Sequence, residues 1–328
     1  MSINLQDKYS LELTINNIRV GSDEVSIDEI AINESVIHSL PSVDIKIFNT
    51  GTLIDSNPLL DGSPVDLNVS ITSTTTTEEF KLETLLWSHE INPISGGFQI
   101  VMHCVLSSPD FLQSRVESVN GPSYDVFQLM ADRSRMTLIT DPSIDKQVWI
   151  RPGVRGLVWL NDVINHSWSS PESSWIYAIT RNRELLRYNL QERYTKNPIW
   201  SFREARSVGE IEPDDTVLIE YPRFVSQGGF LNTFFGYGKQ LSNFDLELGS
   251  RVENRARSFT KRTDFMNLNS TREAPQRIDS LGYSNALNVH ENYFQAYAQN
   301  MRFKSLFSVN VDCLSSQFRD VRLLDLVS

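Results

Sequence analysis

The sequence is poor in cysteine and has no long apolar segment. Only two cysteines, Cys104 and Cys313, occur in 328 residues. They lie far apart in alternating apolar runs, which predicts buried free thiols rather than a disulfide framework or a metal site. The N-terminus lacks the features of a secretory signal, and no stretch of about 18 apolar residues is present. We therefore expect no membrane anchor and assembly in the cytoplasm.

Positive charge is also scarce. The chain has 30 Lys and Arg against 41 Asp and Glu, a formal net charge of −11. Tight binding to phosphates requires clustered cations, so this balance argues against a broad surface for duplex DNA. The local exception is the basic segment 251–262, which we interpret as a solvated or intersubunit segment because it contains Glu253 and only one aromatic residue, Phe259.

Motifs for catalysis are missing as well. The glycines at 228–229 and 236–238 have no following lysine and no strand-to-helix context, so they do not form a phosphate loop. No nucleophile elbow is present. Asp214, Asp215 and Glu220 are the nominal carboxylates for glycoside hydrolysis, but the first two follow a proline and indicate a turn. The sequence predicts no catalytic residue, no cofactor-binding residue and no enzyme activity.

The histidines do not form a metal-binding pattern. None of the five has a partner at the close helical spacing typical of metal sites. His89 and His103 could face each other across adjacent strands, with Glu90 nearby. Two candidate ligands do not close a site, so we predict structural histidines and no metal.

The first third of the chain is dominated by a period of two. Apolar and polar residues alternate over 11–15, 43–47 and 65–71, and the pattern continues over 80–85 and 98–105. Turn residues such as Asp61-Gly62 and Gly96-Gly97 separate these runs. This segment is therefore predicted to form an antiparallel sheet or barrel.

The pattern changes to helical spacing after residue 107. Ser123 is predicted to cap a helix that begins at Tyr124, and a second helix is predicted around Leu157, Leu160 and Ile164. Residues 175–180 and 184–191 then read as a β-hairpin. We expect an α+β segment.

Five of the six tryptophans fall in or beside this segment, and we expect most of them to anchor its core: Trp149, Trp159, Trp168, Trp175 and Trp200. An exposed tryptophan would instead indicate a protein interface.

Strand character returns at 216–221 and 307–313. A polar stretch over 251–284 and a helical pattern over 289–301 lie between these strands. The chain stops in an apolar, strand-like run at 323–328, so we expect the protein to continue beyond residue 328.

The order of these elements, with four phrases, resembles a known family. The phrases are Ser123-Tyr-Asp-Val-Phe127 at a helix start, Lys146-Gln-Val-Trp-Ile150 in a strand, Leu157-Val-Trp-Leu-Asn-Asp162 in the second helix and Arg183-Glu-Leu-Leu-Arg-Tyr-Asn-Leu190 after it. This layout resembles the baseplate hub proteins of contractile phage tails, which are similar to the hub portion of type VI secretion spike proteins. The resemblance covers most of the chain.

The resemblance implies a mainly β fold with an α+β insert. The two related tube-type β-barrel domains would be residues 1–107 and 201–328, the second with a loop-helix insertion at about 241–302. Residues 108–200 would form the middle α+β domain. Three such chains would present six barrels as a pseudo-sixfold ring.

The same resemblance implies a structural role in the virion. The homotrimer would join the sixfold tail tube to the threefold central spike, contact other baseplate proteins and line the channel for DNA, with no active site and no cofactor. Under this interpretation, carboxylates such as Asp44, Asp66, Glu83 and Asp312 are nominated to face the channel, where they would repel DNA.

Two alternatives remain open at this stage. A phage receptor-binding or glycan-binding β module would also be acidic and aromatic, and it should expose several Trp or Tyr side chains in one groove. A hydrolase acting on cell-wall polymer would depend on Asp215.

Overall fold

The structure is a computed structural model. It describes residues 8–20, 25–36, 39–49, 59–72, 77–170, 173, 175–193, 196–204, 216–226, 239–245, 250–255, 276–281, 307–312, 321 and 323–325. The described part is mainly β, as the alternating sequence pattern predicted.

The first segment forms one seven-stranded sheet. Its strands are β1 (Lys8–Ile15), β2 (Ile18–Arg19), β3 (Val25–Asn33), β4 (Ser42–Asn49), β5 (Pro64–Thr72), β6 (Thr77–Ile94) and β7 (Gly97–Leu106). They lie in the order β2-β1-β5-β6-β7-β4-β3, and each neighbouring pair is antiparallel. Among the described strands, β2 and β3 pair on one side only, so the sheet is a curled half barrel rather than a closed one.

The two faces of this sheet have different chemistry because successive side chains in a strand point to opposite sides. The inner face carries fully buried apolar residues, including Ile15, Ile45, Ile47, Leu67 and Met102. The side chains between them lie on the outer face. The predicted antiparallel sheet is confirmed, as is the turn at Asp61-Gly62, where Gly62 takes a φ of +83° that favours glycine.

The middle segment combines short strands and helices. Its elements are α1 (Pro109–Leu112), β8 (Ser114–Gly121), α2 (Ser123–Arg133), β9 (Thr137–Thr140), β10 (Gln147–Arg155), α3 (Gly156–His166), β11 (Trp175–Ile179), β12 (Glu184–Asn189) and α4 (Leu190–Arg193). Strands β8 and β10 form an antiparallel two-stranded ribbon. The predicted hairpin is β11 and β12, and β9 pairs with β12 in parallel. No helix in the described part of the chain has the length and apolar character needed to cross a bilayer.

A second apolar core lies between α2, α3 and the three-stranded sheet. Phe127 and Leu160 are fully buried there, together with Trp149, Trp159 and Trp175. Three of the predicted tryptophan anchors therefore lie in a core, whereas Trp168 and Trp200 are half-buried. Both predicted helices are also confirmed.

The predicted cap by Ser123 is wrong. Helix α2 begins at Ser123 itself, and the Ser123 hydroxyl is buried and donates to Asp145 Oδ2 at 2.6 Å. Asp145 Oδ1 accepts the free backbone N–H of Ser123 at 2.8 Å. An aspartate 22 positions away thus takes the role that a neighbouring cap residue has in most helices.

Arg187 is buried in this core although it is charged. Its guanidinium carbon lies 3.9 Å from the ring centroid of Trp175 and 5.2 Å from that of Phe127. Nη1 donates to the backbone oxygen of Asp141 at 3.1 Å, and Nη2 donates to Ser123 Oγ at 2.5 Å. Burial lowers the pKa of Arg187 to about 10, against the opposing effect of nearby carboxylates, so the side chain stays charged at neutral pH.

A second buried arginine, Arg151, fixes the ribbon to the core. Its Nη1 donates to Glu117 Oε1 at 2.7 Å, and its Nη2 donates to the backbone oxygen of Gln113 at 2.5 Å. Arg133 donates to the other oxygen of Glu117 at 2.5 Å. Burial opposes ionisation of Glu117, but the hydrogen bonds from Arg133 and Arg151 prevail and lower its pKa.

The last segment contributes short sheets. Strands β13 (Ser201–Glu204), β14 (Thr216–Ser226) and β18 (Phe307–Asp312) form one sheet, and β15 (Lys239–Asp245), β16 (Ser250–Arg255) and β17 (Gln276–Leu281) form another. The strands predicted at 216–221 and 307–313 are confirmed as β14 and β18. Strands β16 and β17 lie in the stretch expected to be a polar loop, where polar residues hide the period of two. The predicted helix at 289–301, Cys313 and the end of the chain after 325 lie outside the described residues.

The Glu117 carboxylate generates a pH-dependent prediction. Glu117→Gln should lower the free energy of unfolding by about 3–5 kcal/mol at pH 7, because Arg151 is left buried without its counter-charge. A carboxyl with a lowered pKa stabilises the fold above its ordinary value of 4.5, and this contribution is lost as the pH falls through the folded-state pKa. The difference in the free energy of unfolding between the variant and the wild type should therefore become smaller in acid.

Urea unfolding at a series of pH values measures this difference. The exposed Glu29→Gln is the matched control and should change stability little at any pH. An equal loss at pH 7 and pH 3 would show that Glu117 acts through packing and not through its charge.

Candidate functional surface

The outer face of the seven-stranded sheet gathers most of the charged side chains nominated from the sequence. Asp44 lies on β4, Asp66 on β5 and Glu83 on β6, and all three alternate with buried residues. These positions lie on the face opposite the apolar core, as the period of two predicted. Asp312 lies on β18, and its side chain is outside the described residues.

Carboxylates dominate this outer face. Among the described side chains there are eight carboxylates and three lysines or arginines, which leaves five net negative charges when His103 is neutral. The carboxylates are Glu12, Asp28 at the bulge of β3, Glu29, Asp44, Asp66, Glu79, Glu83 and Glu90, and the cations are Arg19, Lys46 and Lys81. The acidic balance of the whole chain is therefore also present on this one face.

One lysine links two of the nominated carboxylates. Lys81 Nζ lies 3.1 Å from Glu83 Oε1 and 3.7 Å from Asp66 Oδ2. The hydrogen bond with Glu83 raises the pKa of Lys81, and Asp66 adds to this effect. The hydrogen bond from Lys81 lowers the pKa of Glu83 against the opposing effect of burial, and Arg183 adds to it. Both groups are therefore ionised across the neutral range.

His103 belongs to this face, whereas His89 does not. His103 Nδ1 lies 2.7 Å from Asp44 Oδ1, and Asn33 donates to the other Asp44 oxygen at 3.1 Å. The expected approach of His89 to His103 is wrong, because a β-bulge at Trp87 shifts the register of β6 so that Ser88 opposes His103. His89 opposes Met102 on the apolar face instead.

The turn between β11 and β12 joins the middle segment to the sheet. Arg183 Nη2 donates to Glu83 at 2.9 Å and to the backbone oxygen of Ser107 at 3.3 Å. Arg181 donates twice to the Glu34 carboxylate, from its backbone N–H at 2.6 Å and from Nη1 at 2.7 Å. This junction fixes the position of the middle segment at one edge of the acidic face.

Sequence reasoning did not identify this junction. The sequence predicts only that Arg181 and Arg183 lie between the hairpin strands at 175–180 and 184–191, and their partners lie 147 and 100 positions away. The local signal was two arginines within one turn, in a chain where cations are scarce. No periodicity could indicate which carboxylates they contact.

The other candidate residues are only partly described. Among the described residues, no group of three or more His, Cys, Asp or Glu is arranged to hold a metal ion. Cys104 is buried in the sheet core, and burial raises the pKa of its thiol to about 12. Glu220 lies on β14, whereas Asp214 and Asp215 are outside the described residues.

The basic segment is only partly described. Arg251 and Arg255 lie on β16, with nothing described of their side chains, and Arg257, Lys261 and Arg262 are outside the described residues. The interpretation of this segment as solvated or intersubunit stays a prediction.

Comparisons with known proteins identify relatives at the level of structure. No protein-family model matches the chain, and no curated protein sequence matches it either. The 43 kDa tail protein of prophage MuSo2 from Shewanella oneidensis is similar with a TM-score of 0.53 and 9% identity, over 91% of this chain and 80% of that protein. The tail protein from Neisseria meningitidis MC58 is similar with a TM-score of 0.51 and 11% identity, over 92% and 79% of the two chains.

A component of a type VI secretion system is also among the similar structures. The Escherichia coli c3393 protein, which is itself similar to the T4 bacteriophage tail proteins gp27 and gp5, has a TM-score of 0.37 and 9% identity over 82% of this chain and 69% of that protein. That score is too low to support an argument. The first two comparisons confirm that this chain has the fold of phage tail proteins, as the resemblance implied.

The junction yields a quantitative prediction. Because Glu34 and Arg181 are both largely buried, a double-mutant cycle of Glu34→Gln and Arg181→Ala should give a coupling energy of about 1–3 kcal/mol in urea unfolding. The exposed pair of Glu12 and Arg19 is the control, with an expected coupling below about 1 kcal/mol. A coupling near zero for Glu34 and Arg181 would show that the contact does not hold the two segments together.

Proposed function

We propose that this chain is a structural subunit of the baseplate hub of a contractile phage tail. The observation that carries the proposal is a fold shared with two phage tail proteins over about nine-tenths of this chain. The hub would be a homotrimer that joins the sixfold tail tube to the threefold central spike and contacts other baseplate proteins. It would be assembled in the host cytoplasm and would act without catalysis or a cofactor.

The domain arrangement belongs to this proposal. Residues 1–107 would be the first tube-type barrel domain, 108–200 the middle domain and 201–328 the second tube-type domain. The seven-stranded half barrel and the separate core of the middle segment support the first two assignments. Three chains with two tube-type domains each would present six similar units to a sixfold tube.

The acidic outer face of the sheet supports a role in lining the DNA channel. A channel wall must let DNA slide, so it should repel phosphates rather than bind them. Lys46, Lys81 and Arg19 each lie within 4 Å of a carboxylate on this face, which leaves few free cations for phosphate.

The glycan-binding alternative has one observation in its favour, the exposed side chain of Trp87. The other five tryptophans are buried or half-buried, so they do not form a groove of exposed aromatics with it. We therefore keep the hub as the proposed function.

Symmetry tests the proposal directly. Light scattering should give a particle of three times the chain mass of 37.5 kDa, and electron microscopy of that particle should show three protomers with six similar barrel units. A monomer, or three protomers whose two strand-rich segments have unrelated topologies, would contradict the hub.

Charge reversal tests whether the sheet face lines the channel. Asp44→Lys with Asp66→Lys should make the assembled particle retain DNA at low salt, and this retention should fall steeply as salt rises. Asp132→Lys with Asp162→Lys, on the exposed surface of α2 and α3, makes the same change in charge elsewhere and should not cause retention. Equal DNA retention by both variants would place the sheet face outside the channel.

A further inference from the structure

Strand β6 has an open edge along its second half. Strand β5 pairs with β6 only as far as Leu85, and the loop at 62–63 bonds to Leu86 on the same side. From Ser88 to Ile94 the strand pairs with β7, and no other described strand lies along its other side. An open strand edge presents backbone N–H and C=O groups to which a further strand can bond. This stretch is called here the β6 edge.

The backbone groups of His89 and Ile91 point to the open side. Along a strand, residues on one face direct their N–H and C=O groups to one edge, and residues on the other face direct theirs to the opposite edge. Leu86 lies on the apolar face and exchanges two hydrogen bonds with the loop at 62–63, on the side that becomes open. His89 and Ile91 lie on that same face, opposite apolar residues of β7. Their N–H and C=O groups therefore point away from β7.

Pro93 limits the length of this edge. It lies on the same face as His89 and Ile91, so its backbone also faces the open side, where proline has no N–H to donate. An added strand can therefore pair with residues 88–92, which span about 13 Å.

Large apolar side chains are exposed beside this edge. Trp87, the extra residue of the bulge, is 56% exposed at its start. On the apolar face, Ile91 is 38% exposed and Phe98 is 37% exposed, although their neighbour Ile100 is fully buried. The cover of the apolar core thus ends at the β6 edge. Exposed apolar side chains next to an open strand edge are typical of a protein contact.

The outer face of the same edge carries an exposed carboxylate, Glu90, for which no ion pair is found in the described part of the chain. Elsewhere on this face, three cations contact a carboxylate of the neighbouring strand, at 2.8, 3.8 and 3.7 Å: Arg19 with Glu12, Lys46 with Glu29 and Lys81 with Asp66. Glu90 lies where the neighbouring strand, and therefore its cation, would follow. The arrangement predicts a lysine or arginine opposite Glu90.

Charge also decides against the long edge of a second copy as the occupant. Strand β3 is the other long edge strand of this sheet in the described part of the chain, and its outer face carries Asp28 and Glu29. Next to Glu90, these residues would add carboxylates to a face that is already acidic. The complementary strand has a cation opposite Glu90 and apolar residues opposite His89 and Ile91.

We propose that the β6 edge binds, by antiparallel strand addition, a segment of another protein in which one lysine or arginine lies between two apolar residues. The two apolar residues bond to the backbone of His89 and Ile91 and cover Ile91, and the cation pairs with Glu90. This inference goes beyond the proposed hub, because the edge can receive such a strand whatever the number of copies in the particle. A cation paired with Glu90 also leaves the acidic face without a free positive charge.

A cyclic hairpin peptide tests the site on the full chain. Its outer strand is Thr-Val-Lys-Val-Thr, and the closed ring lowers the entropy lost on binding. Glu90→Lys should raise the dissociation constant about tenfold or more in isothermal titration calorimetry, because attraction becomes repulsion. The peptide with glutamate in place of lysine should instead prefer the Glu90→Lys chain.

Glu79→Lys is the matched control. It makes the same change of charge on the same face of the same strand, where β5 already pairs with β6, and should change the dissociation constant less than about twofold. Thermal unfolding checks that each variant is folded.

Methylation of the peptide backbone distinguishes strand addition from attraction between charges. Methyl groups on the two valine amides remove the N–H groups that should bond to His89 and Ile91, and they leave the charge and the ring unchanged. The methylated peptide should bind about tenfold more weakly or less, because two hydrogen bonds are lost.

The outcomes separate this inference from the proposed hub. No binding at about 1 mM peptide, equal binding of the methylated peptide, or an equal loss in Glu79→Lys and Glu90→Lys would overturn the assigned edge and leave the hub intact. A chain that binds the peptide as expected but stays monomeric at every concentration would overturn the homotrimer and keep the assigned edge.

Discussion

Each strand of the seven-stranded sheet places every second side chain against the apolar core, so the side chains in between must all lie on the opposite face. In β4, for example, Ile45 and Ile47 lie in the core, and Asp44 and Lys46, which alternate with them, therefore lie on the opposite face. A shift of one residue would exchange the two sets and place carboxylates in the interior. The stability of the fold and the charge of its outer face therefore have the same cause, and neither can change without the other.

The middle segment depends on contacts of a different kind. Its helices are short, and its core encloses two arginines that need acceptors already in place when they are buried. Asp145 holds the start of α2, Glu117 holds the ribbon, and the turn with Arg181 and Arg183 attaches the segment to the sheet. Charged groups thus set the orientation of the elements, and the tryptophans fill the space between them.

The sequence predicted what depends on local periodicity and missed what depends on distant partners. Alternation over 43–47 and 65–69 identified β4 and β5 because one face of each strand is buried. Ser123 was expected to cap α2 because serine is a good cap, but Asp145 was nearer to the free N–H once the chain had folded. The two arginines of the hairpin turn were visible, but the partner of Arg181, Glu34, is 147 positions away, so no local pattern could indicate the contact. Strands β16 and β17 were not predicted because, unlike β4 and β5, they carry no apolar stripe.

The bulge at Trp87 has a consequence for the evolution of the chain. Before it, even-numbered residues of β6 face the core, and after it, odd-numbered residues do, so Ile91 packs opposite Ile100 while Glu90 stays in water. Trp87 is the extra residue of the bulge, so its deletion would leave Ser88 opposite His103 and keep this phase, whereas a regular strand that retained Trp87 would turn Glu90 toward the aliphatic side chains. Related chains should therefore tolerate many substitutions at position 87 and also its deletion, but they should keep one phase of the hydrophobic pattern over residues 88–91.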